Sequence, residues 1–112
     1  MNNSKEYKLI VTIVKKGLSE QVIKAAQEVG AKGSTVINGR GSSVHETIKI
    51  LGIPIEPEKE IILIVAEASK ADNILSQIVN KTQLNDLGVG IGFVLDVEKV
   101  VGIIENNEQM IN

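Results

Sequence analysis

Residues 60–97 read EIILIVAEASKADNILSQIVNKTQLNDLGVGIGFVLDV, and this stretch decides the fold. Its first part, Glu60 to Ala66, is an apolar run typical of a strand that is covered on both faces. Ser69 to Asp72 has the form of a capping box, and apolar residues then recur at helical spacing. After the glycine turn at Leu87 to Gly90, a further strand is predicted from Ile91 to Val97. The stretch is therefore one strand–helix–strand unit.

The preceding half of the chain repeats this order. Tyr7 to Val14 predicts a strand, Ser19 is a candidate N-cap of a helix, and Gly30 ends that helix. A second strand is predicted from Gly33 to Asn38. Two consecutive βαβ units predict a single α+β domain over residues 1–112, with a ferredoxin-like βαββαβ (split-βαβ) sandwich and both helices on one sheet face. The other face is then apolar and uncovered, so we expect the chain to self-associate.

A long loop joins predicted strands 2 and 3. Residues 39–59 are rich in Gly, Ser and Pro, and Thr47 to Leu51 is predicted to form a short helical turn within them. Loops of this length in small domains tend to carry function, so we expect this one to carry functional residues. The candidates are Arg40, Ser42, Ser43, His45 and Glu46. A separate C-terminal segment is predicted from residue 98 to 112.

Composition narrows the class of protein. The 112 residues are 43% hydrophobic but only 2% aromatic, and the formal net charge is -2. With no basic stripe and no aromatic platform, nucleic acid is not an expected partner. The lack of cysteine excludes disulfides and thiolate metal sites and fits a reducing compartment. The N-terminus is polar and no apolar run approaches ~20 residues, so we predict a cytoplasmic protein that is not inserted in a membrane.

Catalytic residues are not evident. The single histidine, His45, adjoins Glu46, and neighbours in an extended segment point in opposite directions, which makes a poor metal chelate. His45 is read as a solvated loop residue, a partner contact or pH-sensitive group, or a metal ligand. Asp96, at the end of an apolar strand, is read as shaping a turn by accepting backbone N–H bonds, or else as catalytic. We predict that the protein is not an enzyme and has no metal site.

Two glycine segments are better candidates for ligand binding. Residues 39–43 (GRGSS) offer free backbone N–H groups, hydroxyls and the Arg40 guanidinium, a combination that suits an anion or phosphate. Residues 88–90 (GVG) let a ligand approach the backbone closely. Each segment follows the helix of one βαβ unit, so packing between subunits is expected to bring the two into one cleft.

The run from Lys8 to about Ile103 resembles the PII signal-transduction (nitrogen regulatory) proteins and their PII-like relatives. The matching segments are Glu28 to Gly30, Gly33 to Val36, and Gly88 to Glu98. This resemblance implies a homotrimer with nucleotide clefts between subunits, a role in nitrogen regulation, and a flexible 39–59 loop that docks onto a regulated target such as a membrane transporter. Because that loop contains no tyrosine, modification at a loop tyrosine is excluded.

The resemblance also implies a set of nucleotide-binding residues: Ile13, Thr35, Gly39, Arg40, Gly41, Val65, Gly88, Val89 and Gly90. The chain departs from the family where Ile91 replaces a phosphate-binding lysine, Val89 replaces the acid of the glycine turn, and Gly102 and Ile104 replace two arginines. Three lost cations remove charge-assisted bonds of ~1.5–3 kcal/mol each. The expected effector is ATP, ADP or AMP, and a single cation, Arg40, favours the less charged of these.

Two other functions share this architecture. One is a CutA-type trimeric metal-binding protein, whose metal-dependent stability would depend on His45. The other is a protein-interaction subunit whose loop binds its partner without any ligand. The sequence leaves the identity of the effector, the partner and the sensed signal open.

Overall fold

The structure, a computed structural model, describes residues 6–42 and 48–103. Within these ranges the chain forms six strands and two helices. In chain order they are β1 (Tyr7–Lys15), α1 (Ser19–Glu28), β2 (Thr35–Arg40), β3 (Ile48–Ile50), β4 (Ile53–Ile55), β5 (Glu58–Glu67), α2 (Ala68–Thr82) and β6 (Gly90–Val97).

Four of the strands form one antiparallel sheet in the order β2-β5-β1-β6. The two long helices pack together and against β1 and β5, so both lie on the same face of the sheet. This is the predicted ferredoxin-like α+β arrangement, and the prediction is confirmed. The core between sheet and helices is aliphatic: its fully buried large side chains include Ile10, Val14, Val22, Ile62, Ile64, Ile74 and Ile78. Each such side chain contributes about 1.5–3 kcal/mol through burial.

The opposite sheet face carries no helix of the described chain. Residues paired across an antiparallel ladder share a face, so Leu9 lies on this open face with its partners Val65 and Leu95. The exposed large apolar side chains of this face are Ile37, Val65, Ile91, Phe93 and Leu95. A contiguous apolar sheet face of this kind is typical of a surface that associates with another chain.

The helix starts differ from the prediction. Helix α1 begins at Ser19 itself, Leu18 occupies the N-cap position, and no side-chain cap bond forms there. The N–H groups at this end are bound from a distant strand, because Glu60 Oε1 accepts bonds from the backbone N–H of Gly17 (3.0 Å) and Ser19 (2.9 Å). The prediction of Ser19 as the N-cap was therefore wrong.

The prediction of a capping box at Ser69 to Asp72 was also wrong. Strand β5 continues directly into α2, which begins at Ala68 with Glu67 at the N-cap position and no side-chain cap bond. The Ala68 N–H donates instead to the backbone carbonyl of Glu6 at 2.9 Å. The helix thus starts before the residues that resemble a cap.

The predicted 39–59 loop is more regular than expected. Strand β2 covers Thr35–Arg40 and not Gly33 to Asn38, because its ladder with β5 continues as far as the pair Arg40 and Glu58. The predicted helical turn at Thr47 to Leu51 is wrong over its described part, where β3 and β4 form an antiparallel hairpin. Its β-branched isoleucines favour extended structure. Ser43, His45 and Glu46 lie outside the described residues.

Neither described helix is long and apolar enough to cross a membrane.

Candidate functional site

The two predicted glycine segments lie at the same end of the sheet, on its two opposite edges. Gly39 in β2 pairs with Lys59 in β5, and Lys59 pairs in turn with Lys15 in β1. The Lys15 N–H then donates to the carbonyl of Val89 at 3.4 Å. One row of residues therefore crosses the whole sheet from the first glycine segment to the second.

This row sets the separation of the two segments within one chain. Three strand-to-strand steps of ~4.8 Å place them about 14 Å apart, with β5 and β1 between them. A small ligand at one sheet edge is thus out of reach of the other edge of the same chain. The sheet of one chain therefore does not bring the two segments together, and their meeting in one cleft between subunits stays a prediction.

In the second segment, Gly88 and Gly90 are required for two different local reasons. Gly88 has φ +80°, a left-handed conformation that favours glycine. A side chain at Gly90 would collide with the backbone carbonyl oxygen of Ile13, so β6 enters the sheet close against β1. At Gly90 the close approach is between backbone and backbone. The approach of a ligand to this turn stays a prediction.

Arg40 occupies the root of the 39–59 segment. It is exposed at the last position of β2, and its ladder partner Glu58 is bound by Lys16 Nζ at 3.3 Å. The next residue, Gly41, donates its N–H to the Pro57 carbonyl at 3.1 Å. These contacts hold the two ends of the segment together and leave the guanidinium facing solvent.

Two cations at this end were not identified from the sequence. Lys15 and Lys59 are ladder partners, so both side chains lie on the open sheet face beside Gly39. Lys15 is exposed, and Lys59 is about nine-tenths buried. They stand far apart in the sequence at unremarkable strand ends, and only the register brings them together. Arg40 lies at the same end of the sheet but on its other face, where Glu58 is its ladder partner.

Glu60 is a further residue that the sequence did not single out. Burial raises the pKa of its carboxyl, but bonds from the Ser19 N–H and hydroxyl and from the Gly17 N–H, together with the nearby Lys16 charge, outweigh this and lower the pKa below 4.5. The carboxylate therefore stays charged and ties the β1–α1 turn to β5, next to the loop root.

A cavity of about 630 Å³ lies at the other end of the sheet. It opens on the sheet face near Tyr7 and Leu63 and is bordered by the connection from α1 to β2. Two of the nine predicted nucleotide-binding residues, Thr35 and Val65, line it. The other seven do not: Ile13, Gly39, Arg40, Gly41, Gly88, Val89 and Gly90. The predicted residues thus fall into two groups, one at the cavity and one at the glycine end.

Asp96 does not match its expected role. Its side chain is exposed, and its carboxylate lies 3.7 Å from Nζ of Lys8, its ladder partner. The expectation of a buried, turn-shaping carboxylate was therefore wrong. As for metals, the described residues hold no group of three or more possible ligands; His45 lies outside them, so its role stays a prediction.

Comparison with known proteins places the chain in a family. Residues 7–107 match the family model of nitrogen regulatory protein P-II. Nitrogen regulatory protein P-II 2 of Methanothermobacter thermautotrophicus is 31% identical over 102 residues, which cover 86% of this chain and 88% of that protein. A crystal structure of Arabidopsis thaliana PII bound to citrate has the same fold, with a TM-score of 0.65 and 23% identity over 84% of this chain and 79% of that one. Members of the family are trimeric regulators that act on partner proteins. The chain belongs to the nitrogen regulatory protein P-II family.

Proposed function

We propose that the protein is a cytoplasmic PII-like regulator that binds an adenine nucleotide in clefts between three copies and controls a target through its 39–59 segment. A membrane transporter is one kind of target that this proposal includes. The observation that carries the proposal is the position of the two glycine segments, at one end of the sheet but on opposite edges. In a closed ring of identical copies, the β2 edge of each copy would meet the β6 edge of its neighbour. The two glycine segments would then lie side by side.

The two groups of predicted residues suggest how the nucleotide lies. Thr35, at the cavity, and Gly39 are four residues apart on β2, which is about 14 Å at ~3.4 Å per residue. We place the base in the cavity near Thr35 and Val65, and the phosphates at Gly39 and Arg40. The 88–90 turn of the neighbouring copy then closes the phosphate end.

The charges favour a nucleotide with few phosphates. Arg40 supplies the positive charge at the end of β2, and Lys15 lies at the same end of the sheet on its opposite face, whereas Ile91 leaves the glycine turn without a cation. Cations near a phosphate form its strongest hydrogen bonds, so each phosphate beyond their reach adds little binding energy. We therefore expect ADP or AMP to bind at least as tightly as ATP.

The same residues connect the effector to the target-binding segment. Arg40 adjoins Gly41, whose N–H is bonded to Pro57, so a phosphate at Arg40 acts on the root of the segment. An effector shifts a conformational equilibrium only by its difference in affinity for the two states. Phosphate binding at Arg40 would supply that difference by favouring one position of the root.

The test is a calorimetric titration of the purified protein with ATP, ADP and AMP. We expect at least one nucleotide to bind and Arg40→Ala to weaken it about tenfold or more, the equivalent of losing a charge-assisted bond. Lys24→Ala, which removes an exposed cation from α1, is the matched control and should bind like the wild type. If none of the three nucleotides binds, the proposed effector class is wrong. Metal-dependent stability that disappears in His45→Ala would then favour the metal-binding alternative.

A further inference from the structure

The chain leads from β6 back to the cavity at the Thr35 end of the sheet. Although β6 and β2 lie on opposite edges, Gly102 and Ile103 line this cavity together with Thr35. Gly102 has φ +90°, a left-handed conformation that favours glycine, so the chain turns there. Ile103 after the turn is 38% exposed, whereas Val101 before it is 81% exposed. The chain therefore reaches the cavity at Ile103, and residue 104 follows from its border.

The cavity combines an apolar wall with a positively charged border. The open sheet face supplies aliphatic side chains such as Leu63 and Val65. Two exposed lysines, Lys32 and Lys70, also line the cavity, and among the described residues around it Glu67 is the one acid. Its volume of about 630 Å³ lies within the range of ~300–1,000 Å³ that is typical of ligand-binding cavities. The described lining thus favours an occupant that is both apolar and acidic.

The sequence that follows Ile103 has this composition. Residues 104–112 read IENNEQMIN, with two glutamates, Glu105 and Glu108, and no lysine or arginine. The large apolar residues of this segment are Ile104, Met110 and Ile111. A fully extended chain spans at most ~3.5 Å per residue, so Glu105 is no farther than about 7 Å from Ile103, and Glu108 no farther than about 18 Å. The segment is therefore tethered at the cavity and complementary to it in charge.

We propose that the 104–112 segment occupies the cavity of its own chain, with Ile104 against the apolar wall and the two glutamates beside Lys32 and Lys70. Exposed ion pairs contribute little individually, so the tether, which gives the segment a high effective concentration at the cavity, is what favours occupancy. The segment of the same chain is preferred over that of a neighbouring copy, because Ile103 and both lysines line one cavity.

Occupancy by this segment has a consequence for effector binding. The proposed function places the nucleotide base in the same cavity, near Thr35 and Val65. The segment and the base then exclude each other, so an effector has to displace the segment before it binds. The occupancy itself does not depend on the proposed function, whereas this competition does.

The test uses engineered disulfides in the full chain, which has no cysteine of its own. One variant combines Gly33→Cys with Asn107→Cys. Gly33 lines the cavity, its φ is not positive and an added Cβ there meets no atom, so the fold should be retained. The control combines Asn80→Cys with Asn107→Cys. Asn80 is exposed in α2, ten residues beyond Lys70, which is about 15 Å along the helix.

We expect the 33–107 pair to form a disulfide within the chain at least tenfold faster than the 80–107 pair under the same oxidant, because a disulfide requires the two Cα atoms to approach within about 7 Å. Denaturing gels without reductant separate bonds within a chain from bonds between chains. Equal rates for the two pairs would overturn the occupancy. Disulfides that form only between chains would assign the cavity to the segment of a neighbour and overturn the proposal as stated.

The contribution of charge is tested in the 33–107 variant. Glu105→Gln combined with Glu108→Gln should slow disulfide formation about threefold, the equivalent of two weak ion pairs. Glu98→Gln removes an exposed carboxylate outside the segment and is the matched control, which should leave the rate unchanged. A rate that is the same with and without the two glutamates would overturn their pairing with the lysines.

A last measurement separates this proposal from the proposed function. AMP at a concentration that saturates the 33–107 variant in calorimetry should slow its disulfide formation, because the base displaces the segment. If AMP binds and the rate does not change, the base is not in this cavity, and the occupancy by the segment stands. If the two cysteine pairs react equally fast while AMP binds, the occupancy is wrong and the proposed function stands.

Discussion

Gly90 shows how a single residue fixes the entry of a strand into the sheet. Its missing side chain leaves room for the Ile13 carbonyl oxygen and the Val14 Cα of the neighbouring strand. Both obstacles are backbone atoms, which cannot move aside as a flexible side chain can. We expect Gly90→Ala to destabilise the fold by about 1–3 kcal/mol, measured by urea unfolding. Gly33→Ala is the control, because a methyl group there meets no atom and φ is not positive; equal stabilities of the two variants would contradict this reading.

Thr12 carries a buried hydroxyl that has no hydrogen-bond partner within the described residues. Its side chain is fully buried on β1, and its hydroxyl makes no hydrogen bond within the described residues. Valine has nearly the same shape and no group to leave unsatisfied. We therefore expect Thr12→Val to raise the free energy of unfolding by about 1–2 kcal/mol.

The control for this prediction is Thr82→Val. Thr82 is also buried, but its hydroxyl donates to the Ile78 carbonyl at 2.7 Å, so the same change removes a hydrogen bond. It should leave the stability unchanged or lower it. If chemical denaturation finds both variants equally stable, or Thr12→Val less stable than the wild type, the hydroxyl of Thr12 has a partner in solution.

At the scale of single residues, the sequence predicted which residues form a turn or are buried better than it predicted the contacts that these residues make. The 88–90 segment was recognised as a turn from its glycines, and the turn is present. That Gly90 is required by the backbone of Ile13 could not be predicted, because the contact depends on the register between β1 and β6. The burial of Thr12 inside an apolar strand was predictable from its pattern, but the lack of a hydrogen-bond partner was not.

At the scale of elements, Glu60 links β5 to the start of α1. Its folded pKa lies below 4.5, so it stabilises the fold at pH values above 4.5, and this contribution is lost as the pH falls through the folded pKa. We expect Glu60→Gln to unfold at lower urea concentration than the wild type at pH 7, because a neutral amide accepts the two N–H bonds more weakly. The difference should shrink as the solution is acidified below pH 4.5.

Glu56→Gln is the matched control for Glu60→Gln. It removes the same charge from an exposed carboxylate at the base of the hairpin, away from the α1 N–H groups. Its unfolding midpoint should stay close to that of the wild type at pH 7. A difference between wild type and Glu60→Gln that is constant from pH 7 to pH 3 would show that the carboxylate charge does not stabilise the helix start.

The long elements were predictable because their apolar spacing extends over many residues. The strands β1, β5 and β6 and both helices were predicted within a few residues of their observed bounds. The short hairpin was missed because three-residue strands are too short for periodicity to distinguish them from turns. The predicted helix starts were wrong because the groups that bind the first N–H groups lie far away in the sequence. Glu60 binds the start of α1, and the backbone carbonyl of Glu6, which no side-chain pattern reveals, binds the start of α2.

At the scale of the whole molecule, the open sheet face should hold the copies together. Leu95 is 49% exposed on this face and lies outside both the cavity and the glycine end. We expect the wild type to sediment as a trimer and Leu95→Asp to sediment as a monomer, because a charge on an apolar interface costs several kcal/mol to bury. Circular dichroism should show an intact fold, since the side chain is partly exposed in a single copy. A trimer that survives the substitution would place the interface elsewhere.

The sequence names a set of candidate site residues, which stays a prediction, but it does not predict how those residues are arranged in space. Family resemblance supplied the residues, and the sheet order separated them into a cavity group around Thr35 and a glycine-end group around Arg40. The contribution of Lys15 and Lys59 to the charge of that end depends on strand register, which the sequence does not encode locally. The proposed cleft needs a second copy, so the sequence and structure of one chain do not define its geometry.

The central claim is that the effector site is completed only by a second copy of the chain. The most direct test is to titrate the wild type and Leu95→Asp with the same adenine nucleotide in one calorimetric experiment. We predict that the wild type binds with one site per chain and that the monomeric variant binds at least tenfold more weakly. Equal binding by a monomer would contradict the claim that the cleft lies between copies, and a wild type that binds no adenine nucleotide would contradict the proposed effector.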